Sequence, residues 1–372
     1  MQPATTATTI THRAEQELRQ LGFMSSSSPM IRHSDPQNSL SSGVRISEKV
    51  RHYLQLNGRL GDLGLMHHYV LAVPSILYIK SDHTRFFWQE TFPVLSVENE
   101  FLIHGALALA SIHLAHHKPQ DREFLIKLSM VHQARAMPAF RSGLANLNPA
   151  NSQAVYLFSL ILSLYTFARP QLSSLDPVSD PITELQATMT VIRGTKAIIE
   201  KAKWWFNPNG SLNPMGASTQ DRWVNSTLPP SSSMQETFAR LEAFNEQNRS
   251  GEYYPVAIQC LRSAFAEAFL DPDKPRLIFF WPIYVEDAFM IGVQQRKPLA
   301  LALMAHYAIL IYTLQGLWWS DVGYARRLVE EIVKKGGEEV MELVAWPGKR
   351  IGEVERGYTM WGLGGCIAGL DQ

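Results

Sequence analysis

The sequence of 372 residues contains only two cysteines, Cys260 and Cys366, and no excess charge of either sign. Two thiols so far apart in the chain cannot build a zinc cluster, an iron–sulfur site or a disulfide framework. With 34 basic and 34 acidic side chains, the chain lacks the basic surface of a dedicated nucleic-acid-binding protein. These absences predict a reduced protein of the cytoplasm, the nucleus or both.

Targeting and membrane-spanning segments are also lacking. The first ten residues have no apolar core, so they do not form a secretory signal. The uncharged run Ala154–Ala168 is too short to cross a membrane, whereas Leu299–Trp319 is long enough but contains His306 and Gln315. We therefore expect Leu299–Trp319 to be a buried helix and predict no membrane span.

Motifs for phosphate binding, metalloprotease chemistry and serine hydrolysis are absent from the sequence. The two cysteines have no evident base beside them. His113, His116 and His117 have the spacing that places imidazoles on one helix face, but no matching carboxylate or histidine run stands near them in the sequence. We therefore expect a histidine cluster near solvent, with no metal site and no cofactor.

The sequence does have apolar residues that recur at helical spacing, and 46% of it is apolar. No segment alternates with the period of a strand, so the predicted fold class is all-α. A polar, serine-rich stretch predicts a disordered tail over 1–60, followed by a single large helical domain over 61–372. Asn207–Ser233 is predicted to be a long loop. The predicted helices are Leu63–Ile79, Arg85–Phe92 (capped by Asp82 and ended by Pro93), Glu100–His117, Asp121–Leu147, Asn151–Ala168 (ended by Pro170), Thr183–Phe206, Glu236–Phe244, Pro255–Leu270, Pro282–Gln294, Lys297–Trp318, Val322–Lys334 and Glu338–Leu343.

Aromatic and methionine side chains are concentrated on these helices and at their ends. Such flat or polarizable groups line pockets for bulky apolar ligands, but they also simply fill cores. Composition leaves both interpretations open.

A set of sequence blocks, in this order and spacing, goes beyond composition. The blocks are Leu65–Tyr69, Phe87–Pro93, Phe101–Ala115, His132–Gln133, Phe140–Arg141, Asn151–Pro170, Trp281–Pro282, Arg296–Leu301, Ala305–Ala308, Trp318–Trp319, Trp346–Pro347 and Ile351–Gly352. Over Gly61–Gly352 the chain resembles the C-terminal regulatory, ligand-binding domain of fungal binuclear-zinc-cluster transcription factors of the sterol uptake control type. The resemblance implies an all-helical domain that encloses an apolar pocket and binds a sterol.

The sequence departs from this family in one respect. The family's DNA-binding module needs six closely spaced cysteines near the N-terminus, and this sequence has no cysteine before Cys260. We therefore expect no direct, specific DNA binding by this polypeptide.

Two functions remain open. The first is a transcription-regulator-like protein that binds a bulky apolar molecule of the sterol or terpenoid type, tied to fungal sterol or secondary metabolism. The alternative is an enzyme in which the same pocket guides a cyclisation, for example a pericyclic reaction, of a terpenoid or polyketide intermediate. Such a reaction needs shape and a few hydrogen-bond donors, so it leaves no catalytic motif. A homodimer stays open as well.

Candidate ligand contacts come from the aromatic-rich stretches and the helices that the resemblance places around the cavity. His306 and Tyr307 are the polar members, and either could bond a ligand oxygen. The alternative for His306 is a core histidine that bonds a backbone carbonyl and contributes only to stability. The candidates are Tyr69, Trp88, Phe158, Tyr165, Trp281, Phe289, Met304, His306 and Tyr307.

Overall fold

The structure is a computed structural model and describes residues 58–77, 85–172, 180–202, 205, 233–270, 277–313, 318–320 and 322–355. The chain divides into two compact units: unit 1 comprises Met1–Tyr165 and Gly194–Ser211, and unit 2 comprises Thr166–Arg193 and Leu212–Gln372. The described residues contain helices and no strand, so the predicted all-α class is confirmed. The Asp82 cap, the predicted loop Asn207–Ser233 up to its last residue and all but the last three residues of the 1–60 tail lie outside the described residues; Ser233 itself begins a helix.

Unit 1 is built around the helices Glu100–His117 and Arg122–Ala145, which pack against each other over much of their length. Its predicted helices are found with similar bounds, and Glu100–His117 agrees at both ends. The helices of this part of the chain are α1 (Gly58–Ile76), a π-helical turn (Phe87–Thr91), α2 (Phe92–Glu98), α3 (Glu100–His117), a 3₁₀ turn (Pro119–Asp121), α4 (Arg122–Ala145), α5 (Ser152–Leu172) and α6 (Pro181–Ala202), of which α5 and α6 continue into unit 2.

Pro93 does not end a helix, contrary to the prediction. It lies in the first turn of α2, which continues directly from the π-helical turn Phe87–Thr91. A proline is tolerated in a first turn because the N–H that it lacks has no intrahelical acceptor there. The sequence rule therefore identified a real boundary but assigned it to the wrong helix end.

Gly105 allows close packing in the core of unit 1. A Cβ atom at this position of α3 would lie only 2.9 Å from the Phe158 ring of α5. Around this contact the rings of Phe101, Phe140 and Phe158 lie with centroids 4.6–6.3 Å apart. The absence of a side chain at Gly105 thus lets an aromatic cluster fill the space between α3, α4 and α5.

Helix α5 passes through Pro170, where the sequence predicted its end. Proline cannot donate to the carbonyl four residues earlier, which belongs to Thr166. In the structure the Thr188 hydroxyl of α6 lies 3.0 Å from this carbonyl oxygen and 3.1 Å from the Glu184 carbonyl oxygen, and its one proton is available to both. A tertiary donor thus stands in for the missing backbone donor, and the helix continues to Leu172.

Unit 2 contains the remaining helices, and α11 lies against α8, α10 and α12. The apolar run predicted to be a buried helix is α11, and none of the described helices is long and apolar enough to cross a membrane. The helices are α7 (Ser233–Gln247), α8 (Pro255–Leu270), α9 (Leu277–Tyr284), α10 (Asp287–Gln294), α11 (Pro298–Thr313), α12 (Val322–Leu343) and α13 (Ala345–Glu355).

The sequence predicts one helix over Pro282–Gln294, but the structure has two. The helical conformation is interrupted between Tyr284 and Asp287. The Arg193 guanidinium stabilises this break: it donates to the Val285 carbonyl and forms an ion pair with Asp287 at 2.5 Å. Arg193 belongs to α6 and lies 92 residues before Val285 in the sequence, so apolar periodicity alone could not locate the break. The break predicted between Lys334 and Glu338 is present, because Gly337 adopts a left-handed φ of 69° within α12.

Candidate functional site

The nine candidate ligand contacts are all buried, but they belong to different units. Tyr69, Trp88, Phe158 and Tyr165 lie in unit 1. The other five, from Trp281 to Tyr307, lie in unit 2. Burial alone fits a core as well as a ligand site, so the assignment of these residues to a site remains a prediction.

In unit 1, Tyr69 and Trp88 both contact Phe92, with ring centroids 5.4 and 5.1 Å away. The Tyr69 hydroxyl is fully buried and has no hydrogen-bond partner among the residues that the structure describes, and burial raises the pKa of this phenol well above its usual value. The phenol is therefore neutral and has an unused hydrogen-bonding capacity inside an aromatic cluster.

The other two candidates of unit 1 have partners of their own. Phe158 belongs to the ring cluster beside Gly105. The Tyr165 hydroxyl lies 3.3 Å from the Ser129 hydroxyl, and either can donate. Both side chains thus contribute to the packing of α5 against α4.

In unit 2 the aromatic candidates form one cluster. The Trp281 ring lies 4.5 Å from the Tyr307 ring and 5.1 Å from the Phe289 ring, measured between centroids. Its indole N–H donates to the Ala257 carbonyl at 2.8 Å. Trp281 is therefore anchored to α8 while its ring joins α10 to α11.

His306 is the most distinctive polar group of this core. Met304, His306 and Tyr307 are fully buried on α11, and burial lowers the pKa of His306 to about 4, so its ring is neutral. Its Nδ1–H donates to the Ala302 carbonyl at 2.8 Å, as expected of a core histidine. This bond leaves Nε2 with an acceptor lone pair, and Nε2 is buried with no partner in the described residues.

Trp346 was not among the predicted contacts, although it belongs to one of the blocks that carry the resemblance. Its ring stacks on His306 with centroids 5.8 Å apart and an interplanar angle of 4°. The indole Nε1 of Trp346 is also buried, and no described residue bonds to it. An unused acceptor and an unused donor thus lie on stacked rings, and a buried polar group left unpaired costs about 1–3 kcal/mol.

A small cavity lies further along α11. Its volume is about 10 Å³, which suits one water molecule and is far below the roughly 300–1,000 Å³ of a small-molecule site. None of the nine candidate residues lines it. The lining residues are Thr166, Phe167, Gln171, Leu185, Thr188, Ala308, Ile311, Tyr312, Ser320, Tyr324, Ala325 and Leu328.

Unit 1 contains a partly buried set of polar side chains, Asp62, His104 and His132, that the sequence did not predict. Nδ1 of His104 on α3 lies 3.2 Å from Nδ1 of His132 on α4, and Nε2 of His132 lies 3.5 Å from an oxygen of Asp62 on α1. Burial raises the pKa of Asp62 and lowers those of both histidines. In the described part of the chain, no group of three or more histidine, cysteine or acidic residues is arranged to hold a metal ion.

Comparisons with known proteins agree with the resemblance. Residues 64–201 match the family described as "Fungal specific transcription factor domain". A Zn(2)-C6 fungal-type transcription factor from Gibberella zeae is 23% identical over 309 residues, which cover 78% of this chain and 61% of the relative.

A second relative is the sterol uptake control protein 2 of Candida albicans, which is 25% identical over 207 residues. The match covers 52% of this chain and 28% of that protein, so the chain spans only part of the length of either relative. The predicted resemblance to the regulatory domain of these regulators is confirmed. The family match itself is confined to residues 64–201.

Proposed function

We propose that this chain is a transcription-regulator-like protein whose helical region binds a bulky apolar molecule with a polar end. The family match supports the regulator-like role. The relative named for sterol uptake control suggests a sterol as the first ligand to test. We do not expect this polypeptide to bind DNA directly and specifically, because its net charge is zero and it has only two cysteines, too few for a zinc cluster.

The buried Nε2 atom of His306 carries the ligand part of this proposal. It is an acceptor without a partner on the otherwise apolar helix α11. A ligand hydroxyl that donates to Nε2 would remove the cost of this unpaired atom, and the hydroxyl oxygen could accept from an indole such as Trp346. The neutral state of His306 keeps this lone pair available at physiological pH.

Binding of a sterol-sized ligand requires the core to open. The cavity beside Ala308 and Ile311 holds about one water molecule, so side chains along α11 must move to admit a larger molecule. Met304, which is buried on the same helix, has a flexible, unbranched side chain that can repack at low cost. We therefore expect slow association and a clear rise in melting temperature, because the ligand would bind an opened form of the folded protein.

A fluorescent sterol titration tests the proposal. Dehydroergosterol accepts energy from tryptophan, and Trp346 stacks on His306, so binding there should quench tryptophan emission. His306→Leu removes Nε2 while keeping an apolar side chain. Met189→Leu changes the volume of a buried methionine outside the candidate contacts only a little, and it serves as the matched control. We expect His306→Leu to weaken binding about tenfold or more, and Met189→Leu to keep it within a factor of two to three.

The outcomes separate the alternatives. Equal affinity of the wild type and His306→Leu, at similar melting temperatures, would place the ligand elsewhere, with the Tyr69 hydroxyl as the next candidate. No binding of any sterol or terpenoid would refute the ligand part of the proposal. Conversion of an added polyene, detected by mass spectrometry, would favour the cyclisation enzyme instead.

A further inference from the structure

A second histidine cluster lies in unit 1, at the C-terminal end of α3. His113 is buried, whereas His117, one turn later, is exposed. Their Nε2 atoms lie 3.3 Å apart. On its other side, Nδ1 of His113 lies 2.9 Å from Nε2 of His68, which belongs to α1. The fold thus supplies the second histidine element that was missing near this motif in the sequence.

The distance between the two Nε2 atoms suits a shared metal ion. Two imidazole nitrogens bound to one tetrahedral ion at 2.0–2.1 Å are roughly 3.3–3.4 Å apart. The separation of 3.3 Å in the structure therefore needs almost no change for a tetrahedral ion such as zinc(II). An N–H···N hydrogen bond is usually shorter, as the 2.9 Å contact between His68 and His113 illustrates.

His68 holds His113 in the orientation that a metal ligand needs. If Nδ1–H of His113 donates to Nε2 of His68, the lone pair of His113 Nε2 faces His117. Ligating histidines commonly have such an outer partner on their second nitrogen.

The charges around His113 and His117 have opposing effects on the binding of a cation. The C-terminal end of a helix attracts cations, and His116 and His117 lie in the last turn of α3. Lys118 directly follows His117 in the chain, and the Arg122 side chain donates to the Ala115 carbonyl of α3, so both bring positive charge that repels a cation. The site therefore needs an ion with high affinity for imidazole nitrogen. Copper(II) binds most strongly among the divalent ions, although its tetragonal geometry requires the two nitrogens to move roughly 0.4 Å closer together.

We propose that His113 and His117 together bind one divalent transition-metal ion, with His68 as a positioning residue and water at the remaining coordination positions. The site uses two protein ligands, and exposed His117 gives the ion access from solvent. It lies outside the proposed ligand site of unit 2 and does not depend on it.

Copper(II) titration of the full chain tests this site. The chain has 12 histidines, so the test is the difference between variants and not the stoichiometry alone. We expect one site with two imidazole nitrogens in the electron paramagnetic resonance spectrum. His117→Gln should weaken it at least tenfold, and His67→Gln, which changes an exposed histidine of α1, should leave it unchanged.

Two further variants test the roles of the neighbours. His68→Ala should weaken copper binding about 10–100-fold, and His68→Gln, which keeps an acceptor, should restore most of it. Lys118→Gln should strengthen binding because it removes a repelling charge. Copper binding that His117→Gln leaves unchanged would overturn the proposal. If that variant is unstable, failure of copper to protect His117 of the wild type from diethyl pyrocarbonate would overturn it equally.

Discussion

His132 should make the stability of unit 1 sensitive to mild acid. Its side chain is fully buried, and burial together with the nearby His104 and Arg135 lowers its pKa from 6.5 to about 3. In the unfolded chain the imidazole titrates near its ordinary pKa of about 6.5. Between these two values the unfolded state binds more protons than the folded state. Stability is therefore full above about pH 6.5 and decreases as the pH falls.

The size of this effect follows from the two pKa values. Between about pH 7.5 and 5.5 the unfolded imidazole takes up most of a proton, whereas folded His132 takes up almost none. The free energy of unfolding should then fall by about 1.4 kcal/mol from this residue alone. His113, whose pKa is also about 3, contributes in the same direction. Burial raises the pKa of Asp62, which acts in the opposite direction, so a variant is needed to isolate His132.

Hydrogen exchange of α4 amides measures the effect, because their slowest exchange reports the opening of unit 1. The wild type and His132→Leu are compared at both pH values, after correction for intrinsic exchange. Leucine fills the apolar space but cannot titrate, so the variant should lose about 1.4 kcal/mol less than the wild type on acidification. His67→Gln on the exposed face of α1 should behave as the wild type does. Equal pH dependence of the wild type and His132→Leu would refute the reasoning.

Two further predictions concern stability in the helical packing. Thr188→Val should destabilise unit 2 by about 1–3 kcal/mol in urea unfolding, because it leaves the buried Thr166 carbonyl without the hydroxyl that replaces a backbone donor. Adding Pro170→Ala, which restores that donor, should recover much of the loss, and additive losses in the double variant would contradict this account. Gly105→Ala should lower the melting temperature of unit 1, since its Cβ would lie 2.9 Å from the Phe158 ring, and overpacking costs about 1–3 kcal/mol. An unchanged melting temperature would show that the Phe158 ring moves away freely.

The helices could be predicted from the sequence because the pattern of burial is local. Apolar residues at helical spacing gave both ends of Glu100–His117 and of Pro255–Leu270. The errors occurred where a partner distant in sequence changes a local rule. Thr188 satisfies the carbonyl that Pro170 leaves unbonded, and Arg193 stabilises the break before Asp287. No property of the residues next to Pro170 or Asp287 specifies these contacts.

The same distinction explains which polar groups could be found in advance. His306 could be identified because a histidine within an apolar helix is unusual in itself. Its stacking on Trp346 and its unused Nε2 depend on how α13 packs against α11, which no local pattern specifies.

His113 and His117 share a face through helix geometry alone, but the interpretation of the pair depends on His68, which lies 45 residues earlier. The residues next to His113 and His117 in the sequence include no partner for the second nitrogen of His113. Tertiary packing supplies that partner, His68. The chemical capacity of such a pair is therefore set by the packing of α1 on α3, and variants of His68 test it more directly than variants of the pair itself.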